Sequence, residues 1–161
     1  MKLLDYRTLP ATVGDVKRVA LRLKGEHVDL LKQRAWVLPR AQHRHWTAIV
    51  VDFRAKLVLF VDSLRSSETA VVRRAFAIVE AVSQALREVA FDFTGWRCGS
   101  LGRFSPEQPD YFNCGIFPLL LSRCLHHNVK ISRRWGTKDL DEQRDLIALE
   151  LMAAQVLSFI G

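Results

Sequence analysis

His45-Trp-Thr-Ala-Ile-Val-Val-Asp-Phe53, followed after the polar Arg54-Ala-Lys56 by Leu57-Val-Leu-Phe-Val61, is the stretch whose reading decides the fold. Two runs rich in β-branched and aromatic residues, parted by a short polar break, predict a β-hairpin. Their apolar residues are consecutive rather than alternating, so both faces of these strands are expected to be covered. Upstream, residues 35–38 read as another strand, joined to the hairpin by Pro39-Arg-Ala-Gln-His-Arg44. Residues 15–33 follow helical spacing through Val16, Val19, Ala20, Leu23, Leu30 and Leu31, with Gly25 as an interruption.

Downstream, Ser66-Ser67-Glu68 offers an N-cap to an amphipathic helix traced by Val71, Val72, Ala75, Phe76, Val79, Val82 and Leu86, ending near Glu88. A short strand is expected at 89–93, and residues 95–113, dense in glycine, proline and polar side chains, read as loop; loops this long are commonly functional. A buried helix should run from Cys114 to His127. Pro118 fits it only in the first turn, where its missing N–H costs nothing. A last helix is expected over 140–159, with Leu146, Ile147, Leu149, Leu151 and Val156 on a broad apolar surface. Helix, strands, helix, loop, helix, helix is the order of an α+β fold.

The chain has 161 residues, 49% hydrophobic and 25% charged, which suits one domain spanning residues 1–161 and excludes disorder as a whole-chain description. No internal repeat or low-complexity segment divides it. The formal net charge of +7 permits acidic partners. The basic residues are scattered in pairs such as Arg40/Arg44 and Arg133/Arg134 and never form a long run, which argues against nucleic acid as the main partner. Three cysteines, Cys98, Cys114 and Cys124, without a C-x-x-C pair or zinc-type spacing, exclude a disulfide scaffold and predict a reducing compartment and no metal. Residues 1–10 lack a leader pattern, and no apolar run is long enough to span a bilayer, so an intracellular monomer, nuclear or cytoplasmic and away from membranes, is expected.

A cysteine at a helix N-terminus meets free N–H groups and aligned peptide dipoles that stabilise a thiolate, which makes Cys114 the candidate nucleophile; the alternative is a small buried hydrophobe. His45 opens one hairpin strand and Asp62 closes the other. With a turn centred between Phe53 and Arg54 they lie directly opposite; with the turn one residue later they are diagonal on the same face. Either way the carboxylate can fix the imidazole tautomer and leave one ring nitrogen for a thiol. The alternative is a surface histidine and a turn aspartate. Gln108, six residues before Cys114, could join the Cys114 N–H as an oxyanion donor, or simply be solvated. His43, His126, His127, Asp52, Asp110 and Cys98 read as surface or packing residues.

Together, His45-Trp46, Asp62-Ser63, Gln108 and Cys114-Gly115 resemble the ubiquitin-like protease family, the SUMO (sentrin-specific) cysteine proteases. The flanking Val-Leu-Pro before the histidine, Leu-Phe-Val-Asp-Ser-Leu and Gln-Pro-Asp-Tyr-Phe-Asn-Cys-Gly-Ile-Phe agree, and the similarity covers about residues 35–125. The resemblance implies a papain-like α+β fold with a small central mixed or antiparallel sheet flanked by helices. It implies that Cys114 attacks, His45 is the base, Asp62 orients it and Gln108 stabilises the oxyanion, without a cofactor. It also implies that Trp46 roofs a narrow tunnel for the Gly-Gly tail of a ubiquitin-like modifier, with Asn113 and Gly115 among the substrate-binding residues. Only residues without side chains allow an aromatic lid so close to the substrate backbone. Two departures stand out: Asn113 replaces the aspartate usual before the cysteine, and residues 1–34 do not reveal the segment that grips the modifier's globular body. The implied activity is cleavage after the C-terminal Gly-Gly of a SUMO-like modifier, in maturation or deconjugation. The alternatives are a deubiquitinase or a protease for another modifier, a non-catalytic modifier-binding module, and a protein acetyltransferase of a related clan.

Overall fold

A four-stranded mixed sheet in the order β1-β2-β3-β4 organises the protein, formed by β1 (Ala35–Gln42), β2 (His45–Asp52), β3 (Leu57–Val61) and β4 (Arg97–Ser100). The computed structural model describes residues 13–26 and 29–160; the N-terminal stretch 1–10, read above for a leader, lies outside them. Neighbouring strands are antiparallel except β3 and β4, which run parallel. Parallel neighbours need a long crossover, and here it is supplied by α2 (Thr69–Arg87).

β1 runs on through Pro39, which the sequence placed in a connecting loop. Proline is tolerated there because β1 is an edge strand, so the missing N–H removes nothing from the interior of the ladder. The connection to β2 shrinks to His43-Arg44, both at positive φ (49° and 63°), the conformation of a two-residue type I′ hairpin turn. Between β2 and β3, Ala48 pairs with Val61 and Asp52 with Leu57. This is the later of the two turn placements. Asp52 Oδ1 accepts from the Ala55 N–H at 2.8 Å and closes the turn.

The consecutive apolar runs are buried on both faces, as expected. Trp36, Leu38, Ile49, Val51, Val58 and Phe60 face a core shared with α1 (Val13–Gly25) and α2, whereas Val37, Ala48, Val50 and Val61 face Leu121 of α3 (Ile116–His127). The alternation follows from the two-residue period of a strand. Ile116, Phe117 and Leu120 then bury the other side of α3 against Leu140 and Ile147 of α4 (Thr137–Ile160). Pro118 is the third residue of α3, inside its first turn. Among the described residues no helix is long and apolar enough to cross a membrane.

Several expectations are corrected. The first helix stops at Gly25, and Leu30–Lys32 form a separate 3₁₀ turn whose Asp29 side chain accepts from the Leu31 N–H. Residues 89–93 pair with no strand; Phe91 and Phe93 instead pack edge-on around Phe53, Phe76 and Trp96. Their alternation records aromatic packing, not a ladder. The strand forms later, at Arg97–Ser100, inside the segment read as loop, because the free edge of β3 offers backbone partners to a sequence with no apolar signal. On α4, Leu140 and Ile147, two helical turns apart, are buried, while Leu146, Leu149 and Leu151 are exposed, so its buried stripe is narrow. The side chain of Val156 lies outside the described residues.

Candidate active site

The register of β2 and β3 puts His45 diagonal to Asp62 on one face, and the pair closes with His45 Nε2 2.6 Å from Asp62 Oδ1. His45 is half-buried, whereas Asp62 is only 2% exposed. A buried carboxylate must have its lone pairs filled. The turn after β3 fills them: Oδ1 also accepts from the Leu64 N–H at 2.8 Å, and Oδ2 accepts from the Ser66 N–H at 3.3 Å and from the Ser66 hydroxyl. Burial alone would raise the Asp62 pKa, but the bonds from Ser66, His45 and Leu64 outweigh it and hold the carboxyl below its ordinary value. Ser66, read from sequence as part of an N-cap, is thereby spent on Asp62; the cap of α2 is Glu68, which makes no side-chain cap bond. An ionised Asp62 accepts the Nε2 proton of His45. Nδ1 is then the basic nitrogen of the ring.

Cys114 is buried in a 3₁₀ turn, Asn113–Gly115, that leads directly into α3. This turn packs against β2. A Cβ built on Gly115 would meet Trp46 Cδ1 at 3.5 Å, so the indole next to His45 lies on the residue next to Cys114. The strand end and the helix entrance thus bring His45-Trp46 and Cys114-Gly115 to one place, with Asp62 behind the imidazole.

Gln108 is buried beside them. Its N–H donates to the Ser63 carbonyl at 3.3 Å, its Oε1 accepts from the Ser63 hydroxyl at 2.5 Å, and its Nε2 donates to the Asp110 carbonyl. Between Gln108 and Cys114 the chain is folded around Asp110, whose Oδ1 accepts from the N–H groups of Phe112 (3.0 Å) and Asn113 (2.8 Å) and whose Oδ2 accepts from Asn113 Nδ2 at 2.6 Å. These bonds and the nearby Arg144 guanidinium outweigh desolvation and hold the Asp110 carboxyl below its usual value. Asn113, expected among the substrate-binding residues, is 1% exposed, and its Oδ1 accepts from Arg144 Nη2 of α4. Its amide is occupied at both ends, by Asp110 and by Arg144. Replacing Arg144 with alanine leaves the buried Asn113 oxygen without its donor. The expected cost is about 1–3 kcal/mol of stability, read as a lower urea midpoint at unchanged slope.

Other residues weighed from sequence serve elsewhere. His43 is in the β1–β2 turn, Asp52 closes the β2–β3 turn, Cys98 is exposed on β4, and His126 and His127 are exposed at the end of α3. Burial pushes the thiol of the half-buried Cys124 up. Asp110, read as surface or packing, instead organises the loop before Cys114. Ser63 lies in the quoted Asp62-Ser63 motif but has no role assigned from sequence, Ser66 follows Asp62 by four residues and reads only as part of an N-cap, and nothing in the sequence connects Arg144 to a residue so far before it.

Against known proteins, residues 26–155 match the model of the Ulp1 protease family, C-terminal catalytic domain. A sentrin-specific protease of Caenorhabditis elegans is 25% identical over 133 residues, covering 83% of this chain and 19% of that protein. The structure of SUMO protease Ulp1 with its catalytic cysteine oxidised to a sulfonic acid superposes with a TM-score of 0.68 at 17% identity, covering 92% of this chain and 65% of that one. The Ulp1 protease domain in complex with Smt3, the yeast ortholog of SUMO, gives 0.66 at 18% identity over 92% and 64%. The Ulp1-like SUMO protease catalytic domain of Chaetomium thermophilum gives 0.65 at 23% identity over 88% and 55%. The chain therefore spans less than two thirds of the length of each of these relatives, and the likeness to the solved structures shows a shared papain-like fold. With residues 26–155, most of its length, matched by the family model, the chain belongs to the Ulp1 protease family.

Proposed function

We propose that this chain is a cysteine protease domain that cleaves after the C-terminal Gly-Gly of a SUMO-like modifier, releasing it from a lysine of a target or from its own precursor. The observation that carries the reading is the 2.6 Å His45–Asp62 pair on a strand whose next residue, Trp46, packs on Gly115 beside Cys114. In this reading His45 Nδ1 takes the proton of the Cys114 thiol, and the sulfur attacks the carbonyl carbon of the terminal glycine. The developing oxyanion is met by the Cys114 N–H and the Gln108 amide. As the C–N bond breaks, the His45 imidazolium gives its proton to the leaving amine. Water, deprotonated by His45, then attacks the thioester, and Cys114 leaves as thiolate to recover its proton from the ring.

Asp62 neither gains nor loses a proton in this cycle; it holds the tautomer and stabilises the imidazolium. Trp46, lying on Gly115, would roof the diglycine tail. Asn113 acts from behind the loop. The reading includes a monomeric, intracellular enzyme with residues 1–161 as one catalytic domain, needing no cofactor.

The test is labelling with SUMO-family modifiers and ubiquitin carrying a thiol-reactive electrophile in place of the terminal carboxylate. A covalent adduct with a SUMO-family modifier, absent in Cys114→Ala, is the expected result. An adduct with ubiquitin alone would change the substrate, and no adduct from any modifier while iodoacetamide still alkylates Cys114 would overturn the reading.

A further inference from the structure

A primary carboxamide has two ends of nearly the same shape, so a half-turn about its terminal bond exchanges donor for acceptor at little steric cost. Only its partners decide which end faces the reaction. Gln108 is 7% exposed, so solvent does not make that choice. Its partners do: the Asp110 carbonyl, which can only accept, takes an N–H of Nε2, and the Ser63 hydroxyl donates to Oε1 at 2.5 Å from a residue that is itself 3% exposed. The Ser63 carbonyl also accepts from the Gln108 N–H, so one residue holds both the backbone and the side-chain oxygen of Gln108. At the far end Nε2 donates one N–H to the Asp110 carbonyl, which leaves its second N–H available. Turned over, the amide would place Oε1 against the Asp110 carbonyl and beside any oxyanion forming at Cys114, bringing acceptor against acceptor.

Ser63 also adjoins Asp62 in a turn closed by the Arg65 N–H on the Asp62 carbonyl at 2.9 Å. That turn presents a carboxylate to the imidazole and, one residue on, a hydroxyl to the carboxamide. The geometry points to Ser63 as a positioning residue that, together with the Asp110 carbonyl, fixes the Gln108 amide with its N–H toward the reacting carbonyl, so that one turn serves both the base and the oxyanion donor. This rests on the reading of Gln108 as an oxyanion donor given above. Ser63 touches no substrate; it acts through Gln108.

The test is steady-state hydrolysis of a SUMO-family modifier bearing a fluorogenic amide at its terminal glycine, for Ser63→Ala, Ser63→Thr, Gln108→Ala and the Ser63→Ala/Gln108→Ala double variant. Loss of an oxyanion donor by Gln108→Ala is expected to lower kcat by about 10²–10³-fold. Ser63→Ala should lower kcat by about 10-fold, the scale of one hydrogen bond, with KM within about twofold and the pH profile unmoved because the His45–Asp62 pair is intact. Ser63→Thr, which keeps the hydroxyl, should recover most of the rate. In the Gln108→Ala background, Ser63→Ala should cost nothing further. An equal loss in both backgrounds would mean a general structural role and overturn the proposal. If Gln108→Ala leaves kcat at the parent value, the oxyanion reading itself fails; if Gln108→Ala is damaging and Ser63→Ala is not, only the role of Ser63 fails. Should Ser63→Ala not fold, the near-isosteric Ser63→Cys, a poor donor, takes its place with the same expected loss.

Discussion

Replacing Asp62 with asparagine is expected to lower kcat for modifier cleavage by roughly 10²–10⁴-fold, the range seen when the acid of a nucleophile–His–acid set is lost. The size follows from how the carboxylate is used. Both its oxygens are acceptors: Oδ1 for His45 Nε2 and the Leu64 N–H, Oδ2 for the Ser66 N–H and hydroxyl. An amide offers one acceptor and one donor. If its oxygen serves His45 and Leu64, its NH2 faces the two donors of Ser66; if it turns over to satisfy Ser66, its NH2 faces His45 Nε2 and drives the proton to Nδ1. The second arrangement leaves the imidazole without a base on the side meant for Cys114. Asp62→Ala should lose a comparable factor by freeing the ring. In both variants KM should change far less than kcat, because Asp62 is buried behind His45. A fall in kcat below threefold would remove Asp62 from the mechanism.

The same substitution has a signature in stability against pH. The Asp62 carboxyl is held below its ordinary value of 3.8, so in the window between that value and its lower native one the unfolded chain binds the proton and the folded chain does not. Stability contributed by Asp62 is complete above this window and disappears as pH falls through the native value. Urea midpoints measured from pH 5 downward should therefore fall less steeply for Asp62→Asn than for the parent. Equal slopes would mean that the carboxylate gains nothing from its partners.

His45 and Asp62 were legible as a pair because parity survives uncertainty in the turn: both turn placements left them on one face, and the later one formed when Asp52 bonded the Ala55 N–H. The burial of β2 and β3 on both sides was equally plain in their unbroken apolar runs. β4 was not, because Arg97-Cys-Gly-Ser100 has neither alternation nor β-branched residues, and its structure is imposed by the exposed edge of β3. Within the site, the candidate side chains could be picked out by type and order, but the contacts that support them could not. Ser63 reaches a glutamine 45 residues on, and Arg144 an asparagine 31 residues back. A hydroxyl or guanidinium with such a partner leaves no local pattern, since the contact exists only after the sheet, the loop and α4 have packed together.

Exchanging the carboxylate and the carboxamide of the loop is expected to do far less harm than removing either. The family resemblance implies an aspartate immediately before the cysteine, and Asn113 stands there instead. The negative charge is supplied three residues earlier, by Asp110, which binds the Asn113 amide while Arg144 binds the other end of it. Asp110→Ala would leave the N–H and Nδ2 of the buried Asn113 without an acceptor; at about 1–3 kcal/mol for each stranded buried group, the loss is about 2–6 kcal/mol out of a typical total of about 5–15. Asp110→Asn keeps an oxygen for the two backbone N–H groups but turns an NH2 toward Asn113 Nδ2. If Asn113 then rotates to accept it, its own NH2 meets the Arg144 guanidinium. Adding Asn113→Asp resolves the conflict: the introduced amide at 110 donates to the introduced carboxylate at 113, whose remaining oxygen receives Arg144 directly. Chemical denaturation of the two single variants and the double should give a coupling of about 2 kcal/mol or more, within reach of groups sharing one buried network, and kcat should recover with stability. Additive losses would mean that Asp110, Asn113 and Arg144 act separately, and that Cys114 does not depend on the clamp.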